Sequence, residues 1–327
     1  MGKKIYYVYS LKGIIALVMV LFLSCDNTSD RDKLLLSTFT PNFSAEEAFR
    51  SIEKQVQLGP RIPGSKAHHL CRKFIVRSLE ESGYQPEINH GLVDSGNGIL
   101  EIFNISGSYK PELKNRILLC GHYDSRLTAD LDSLMSNSPV PGANDGASGT
   151  AVLLQLAKEI QKYDLDLGVD FIFFDGDDQG IYPESSTRKK HTWSLGAQYW
   201  ARGVKKEYQY GIVLDMVGAE NATFFKEDVS KIFAGSVQDK LWNIAGELGY
   251  DSFFIQKPIG VLVSDHYYIN NLTKAKIPCL LVSDYRKDTE HGYFPYWHTT
   301  SDIPEHISKE SLKAVGQSII ELLYTKS

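Results

Sequence analysis

The sequence predicts a single α/β domain built on a mixed, mainly parallel central sheet with helices on both faces. Three observations carry this expectation. Apolar runs over 116–120, 169–174, 210–216 and 276–282 are nearly continuous rather than alternating, the mark of strands covered on both faces. Amphipathic helical stretches separate most of them, and alternation of strand and helix implies parallel pairing through crossovers. No repeat or low-complexity linker interrupts residues 40–327, so one domain accounts for the whole run.

Each element has its own signal. Ala48, Phe49, Ile52 and Val56 share one face of a helix over 45–58, with Ser44 as its N-cap. Gly59-Pro60-Arg61-Ile62-Pro63-Gly64-Ser65 is a turn-rich loop, and a second amphipathic helix over 66–82 is stopped by Gly83. Partial alternation over 88–105 around Gly96-Asn97-Gly98 predicts a hairpin. A strand over 116–120, a helix over 147–163, a strand over 169–174, a helix over 193–201 and a strand over 210–216 follow. A helix over 229–248, the strand over 276–282 and an amphipathic helix over 309–324 complete the pattern.

The first residues are of another kind. Lys3, Lys4 and Lys12 precede an apolar run over 14–23, and no acidic residue occurs before Asp26. About ten apolar residues are too few to span a bilayer, and the flanks are those of a secretory signal. The run ends in Leu21-Phe22-Leu23-Ser24-Cys25, which resembles a bacterial lipoprotein lipobox with Phe22 in place of the commoner leucine. Residues 1–24 are therefore expected to be a signal peptide, Cys25 to be lipidated, residues 25–40 to form a tether and residues 41–327 the folded domain. The expected location is the bacterial periplasm, anchored by lipid to the inner or outer membrane.

Composition narrows the function. Of 327 residues 43% are hydrophobic, enough for a sizeable core, and 35 basic against 40 acidic side chains leave no cationic surface for nucleic acid. Loss of residues 1–24 with their three lysines takes the net charge from −5 to −8. Four cysteines are too few for a disulfide scaffold, and Cys120 and Cys279, inside apolar runs, are expected as buried free thiols.

Ligands of an open α/β sheet gather beyond the carboxyl ends of its strands. Here each apolar run leads into acids or histidines: His122-Tyr123-Asp124-Ser125, Asp175-Gly176-Asp177-Asp178, Asp215, and, after a long loop, Trp297-His298-Thr299-Thr300-Ser301-Asp302. Asn144-Asp145-Gly146-Ala147-Ser148-Gly149 directly precedes a helix. Singly, Asp145 is a helix cap, Asp177 and Asp178 a solvated turn, and His122, His298 or Asp215 a structural residue. Their common position at one sheet edge is what those readings leave out. Two imidazoles with several carboxylates suit a borderline cation such as zinc, whereas an all-oxygen calcium site would not recruit histidine.

These five segments, in this order, resemble the co-catalytic zinc aminopeptidase superfamily over roughly residues 45–326. Within it the chain is similar to the glutaminyl cyclases of animal-like bacterial type. Phe173-Phe174-Asp175-Gly176 with its two following acids, the longer polar loop over 180–192 and Trp297 directly before His298 carry that likeness.

The resemblance implies one Zn2+ per chain held by Asp145, Asp178 and His298, with Asp177 as proton carrier and Asp215 and Asp265 beside it. Trp193 and Trp297 would enclose the substrate, a peptide or protein with N-terminal glutamine. Asp177 and Asp178 stand where both branches commonly have glutamate, so which of the two faces the metal stays open. Asp265 is either part of the acidic group or a turn residue, and His266 is an orienting residue as readily as a chemical one. The alternative is a dinuclear aminopeptidase, in which His122, Asp145 and Asp215 hold a second zinc. His122 is thus a candidate second-metal ligand or a supporting residue.

Overall fold

The structure, a computed structural model, describes Gly2, residues 40–182 and residues 191–325. The expected signal peptide, Cys25 and the tether up to residue 39 lie outside the described residues, as do residues 183–190 of the loop before Trp193.

Two capped helices open the unit that starts at Pro41: α1 (Ala45–Gln57) and α2 (Lys66–Glu81). Ser44 and Ser65 accept the N–H of Glu47 and His68, which satisfies a first-turn donor in each. β1 (Glu87–Asp94) and β2 (Ile99–Tyr109) form the expected hairpin. β3 (Arg116–His122), α3 (Ala147–Ile160), β4 (Gly168–Phe174), α4 (Leu195–Gly203) and β5 (Gly211–Asp215) then alternate. β6 (Phe224–Glu227), α5 (Asp228–Glu247), β7 (Phe254–Ile259), α6 (Asp265–Leu272), β8 (Cys279–Ser283) and α7 (Lys309–Tyr324) follow.

The main sheet has the order β1-β2-β4-β3-β5-β8, antiparallel at the hairpin and parallel from β4 to β8. Every residue of β3 and β4 is buried. Their side chains divide by strand alternation. Ile117, Leu119, Val169, Phe171 and Phe173 pack in the larger cluster with residues of α1, α2, α3, α5 and α7. Leu118, Cys120, Ile172 and Phe174 pack on the other face with Ala197 of α4 and Ile269 of α6. Burial of each large apolar side chain contributes roughly 1.5–3 kcal/mol, so the two clusters fix the strand registers together.

Four elements depart from expectation. The parallel pair β6 and β7 was not legible, being short and interrupted by a register shift at Phe225/Lys226 opposite Pro258. The eight-residue α6 begins at Asp265, where the sequence allowed a turn. α4 starts at Leu195 rather than 193, because Ser194 adopts a left-handed backbone with φ 52°. Cys71, Cys120 and Cys279 are free and buried. No described helix is long and apolar enough to cross a membrane.

Candidate active site

Because β4, β3, β5 and β8 run parallel, their carboxyl ends share one edge. β3 ends on His122 and β5 on Asp215. Asp177 and Asp178 follow β4 beyond Gly176, whose φ of 70° turns the chain back over the edge. Asp145 sits one residue before the Gly146 N-cap of α3, so it is not itself that helix's cap. His122 Nε2 lies 3.0 Å from Asp145 Oδ1, 3.4 Å from Asp215 Oδ1 and 3.9 Å from Asp177 Oδ2. His298 Nε2 lies 3.3 Å from Asp178 Oδ1 and 3.9 Å from Asp145 Oδ2.

Two buried donor groups result, His122/Asp145/Asp215 and Asp145/Asp178/His298, each with its ligand atoms within 4.8 Å of one another. Asp145 belongs to both. Among the described residues, both nitrogens of His122, Nδ1 of His298, Oδ2 of Asp178 and Oδ1 of Asp215 make no well-aligned hydrogen bond, although all are buried. Such groups are costly unless something else satisfies them. Zinc ligands at roughly 2.0–2.2 Å on tetrahedral corners lie about 3.4 Å apart, within the 3.0–3.9 Å range of the histidine–carboxylate separations here. The imidazole and carboxylate set therefore fits zinc, and a Cβ on Gly146 would intrude to 2.4 Å from the His122 ring.

Burial dominates the electrostatics. It raises Asp177, partly offset by His122 and reinforced by Asp215, Asp178 and Asp124, to about 7. Asp178 rises to about 7, again through burial, against the pull of His122 and Arg126. Asp145 and Asp265 are pushed well above the carboxylate range by burial, then by the charges of Asp178 and Asp177 respectively. Burial, with Arg126, holds His298 well below the usual imidazole value.

Asp265 is buried at the start of α6, in side-chain contact with Asp177. Two carboxylates in contact, both acceptors, are compatible only when they share a proton. Its neighbours face other partners. Ser264 Oγ donates to Asp215 Oδ2 at 3.0 Å, and His266 Nε2 lies 3.0 Å from Glu227 Oε1, away from the cavity. His266 thus lies against the carboxylate that caps α5 and does not line the cavity.

The edge opens into a cavity of about 540 Å³ whose lining includes Asp145, Asp177, Asp178, Asp215, Trp193 and Trp297. Trp193 stacks on the His298 ring at 5.7 Å and 16°, and Trp297 stacks on it at 3.7 Å and 26°. Gly180 lies beneath the Trp193 indole, where a Cβ would approach to 2.2 Å. The Arg126 guanidinium sits 4.6 Å over the Trp193 ring.

Three contributors escaped the sequence reading. Asp124 accepts the backbone N–H groups of Asp177 and Asp178 at 3.0 and 3.1 Å. Asp302 accepts those of Asn144 and Asp145 at 2.7 and 3.1 Å. Ser194 Oγ donates to Asp177. For Asp124 a signal existed, since alternation over His122-Tyr123-Asp124 gives His122 and Asp124 a common side.

Residues 104–323 match the profile of peptidase family M28. The chain is 27% identical over 178 residues to a glutaminyl-peptide cyclotransferase of Drosophila melanogaster, a stretch that is 51% of this chain and 47% of that protein. It thus spans about half the length of the curated relatives it matches. Among solved structures it is similar to the Tannerella forsythia glutaminyl cyclase, with 38% identity over 88% of this chain and 100% of that one and a TM-score of 0.85. A Zn-dependent exopeptidase of Parabacteroides distasonis gives 36% identity, the same coverage and a TM-score of 0.85.

Proposed function

The chain belongs to peptidase family M28, and within that family we propose that it is a glutaminyl-peptide cyclotransferase, converting N-terminal glutamine of peptides or proteins to pyroglutamate with release of ammonia. Its cofactor is Zn2+. The observation that carries the reading is the pair of indoles, Trp193 and Trp297, stacked about His298 beside the buried acid Asp177. Similarity to solved glutaminyl cyclases supports it.

Asp145, Asp178 and His298 would hold the zinc, which when bound supplies a Lewis acid for the glutamine γ-carbonyl. Trp193 and Trp297 flank the folded glutamine side chain and exclude water. The substrate's own α-amine attacks the γ-carbon, so the chain need supply no nucleophile once the reactants are held together. Asp177 takes the proton from the amine as the C–N bond forms and returns it to the departing nitrogen, which leaves as ammonia. Asp265 and Asp215 hold the proton within the acidic group between the two transfers. Asp124 and Ser194 keep Asp177 in place.

A dinuclear aminopeptidase is the second reading, favoured by the complete donor group His122/Asp145/Asp215. Metal analysis and paired assays separate the two. About one zinc per chain and ammonia released from Gln-initiated peptides is the expected result. Two zincs with cleavage of Leu- or Ala-initiated peptides and no cyclisation would overturn it.

For location we propose export with cleavage before Cys25, lipidation of that residue and residence in the periplasm. The basic-apolar leader and its lipobox-like end support this. Wild-type protein should fractionate with membranes and Cys25→Ser should not; equal partition of both would refute the anchor.

A further inference from the structure

We infer that Arg61 and Asp302 are paired positioning residues that hold the Asp145 loop from its two sides, so that the loop over 59–65 is part of the zinc site. The inference rests on Asp145 being a zinc ligand.

Arg61 is fully buried, and among the described residues it forms no ion pair. An unpaired cation in the interior is costly and persists only where its donors are used. All its side-chain bonds go to carbonyls. Nε donates to Tyr123 O at 3.0 Å, Nη1 to Pro141 O, and Nη2 to Gly142 O at 2.6 Å. Its own backbone is tied to the same strand end, with Arg61 N donating to Ser125 Oγ and Ser125 N to Arg61 O. Gly142 is required for this approach, since its φ is 71° and a Cβ would stand 2.6 Å from Nη2.

Asp302, also fully buried, takes the other side of the same loop. Its backbone carbonyl accepts Ala143 N at 3.1 Å, and its two carboxylate oxygens accept Asn144 N at 2.7 Å and Asp145 N at 3.1 Å. From Pro141 to Asp145 the chain therefore offers carbonyls to a cation and then amides to an acidic residue. The donors of a cation and the acceptors of a buried carboxyl hold opposite ends of the peptide dipoles, and the bonds that Arg61 donates are charge-assisted, the stronger kind. The ligand's backbone is fixed by groups that are not themselves ligands, as supporting residues of metal sites commonly do. Arg61 lies outside the residues 104–323 that match the family profile. The matched region alone is thus an incomplete site.

The test uses the purified chain stripped of metal by chelator. Zinc affinity is measured by chelator competition for wild type, Arg61→Lys, Asp302→Asn and Asp145→Asn. The expected result is a roughly 10–100-fold weaker affinity in Arg61→Lys and in Asp302→Asn, with KM at saturating zinc within about twofold of wild type. Wild-type affinity in both, accompanied only by a lower melting temperature, would overturn the pair. Wild-type affinity in Asp145→Asn would overturn the ligand assignment instead, so the two failures are distinguishable. A readout that needs no variant is amide hydrogen exchange in the wild-type protein. The Asn144 and Asp145 amides should be equally protected with and without zinc, and protection that appears only with zinc would overturn the inference.

Discussion

Ser194 Oγ donates a 2.6 Å hydrogen bond to Oδ1 of Asp177, from a residue whose own backbone is left-handed. Strained backbone of this kind collects at functional sites, where surrounding contacts over-determine it. The bond occupies one carboxylate oxygen and leaves Oδ2 for the travelling proton. Asp177→Asn should therefore lower cyclisation by about 10²–10⁴-fold while the zinc content stays that of wild type. Loss of zinc from this variant would show that Asp177 and Asp178 have exchanged roles.

The rate should rise with pH. Asp177 acts as a base only when ionised, and burial with its acidic neighbours places it at about 7. Bound Zn2+ favours the carboxylate, so the limb in kcat/KM should lie at or below that value. The substrate amine, with a pKa of about 8, adds a second limb. Below both, log kcat/KM should fall with a slope of about two per pH unit. A rate that declines as pH climbs from acid to neutral would contradict this.

Metal removal should expose a pH-dependent weakness. In the metal-free chain Asp177 and Asp178 hold protons up to about 7, against about 3.9 when unfolded. The folded state binds those protons more tightly, so their stabilisation is full below the unfolded pKa and lost as pH rises through the folded one. The melting temperature of chelated protein should drop between pH 5 and pH 8, and the increment that zinc adds should be larger at pH 8. Equal increments at the two values would refute it.

Trp193→Ala should act mainly on binding. It removes a ring stacked on His298 and lying beneath Arg126. Loss of about 1 kcal/mol of aromatic contact predicts a KM raised about fivefold. An unchanged KM with a collapsed kcat would assign the indole a part in the chemistry.

What the sequence made legible follows from what is local. The four parallel strands were readable because each is a short apolar run, and the site because acids and histidines follow those runs. β6 and β7 were not, since four and six residues with Lys226, Lys257 and Pro258 among them carry no period. The placement of Asp265 depended on α6, whose eight residues owe their helix to packing of Ile269 under β8 rather than to propensity. Arg61, Asp124 and Asp302 stand in segments whose sequence gives them no role of their own. Each works by bonding to the backbone of residues distant in sequence, and side-chain type alone does not record that.

The three buried cysteines have a practical consequence. A thiol reacts as its thiolate, and burial pushes Cys71 up to about 12 and Cys120 well above its ordinary value. Cys71 lies on α2, Cys120 on β3 and Cys279 on β8, with no disulfide among them. Folding of this domain consequently has no oxidative step to wait for. The thiols also form a built-in clock, because uptake of a maleimide at each one counts how often that element of the core opens to solvent.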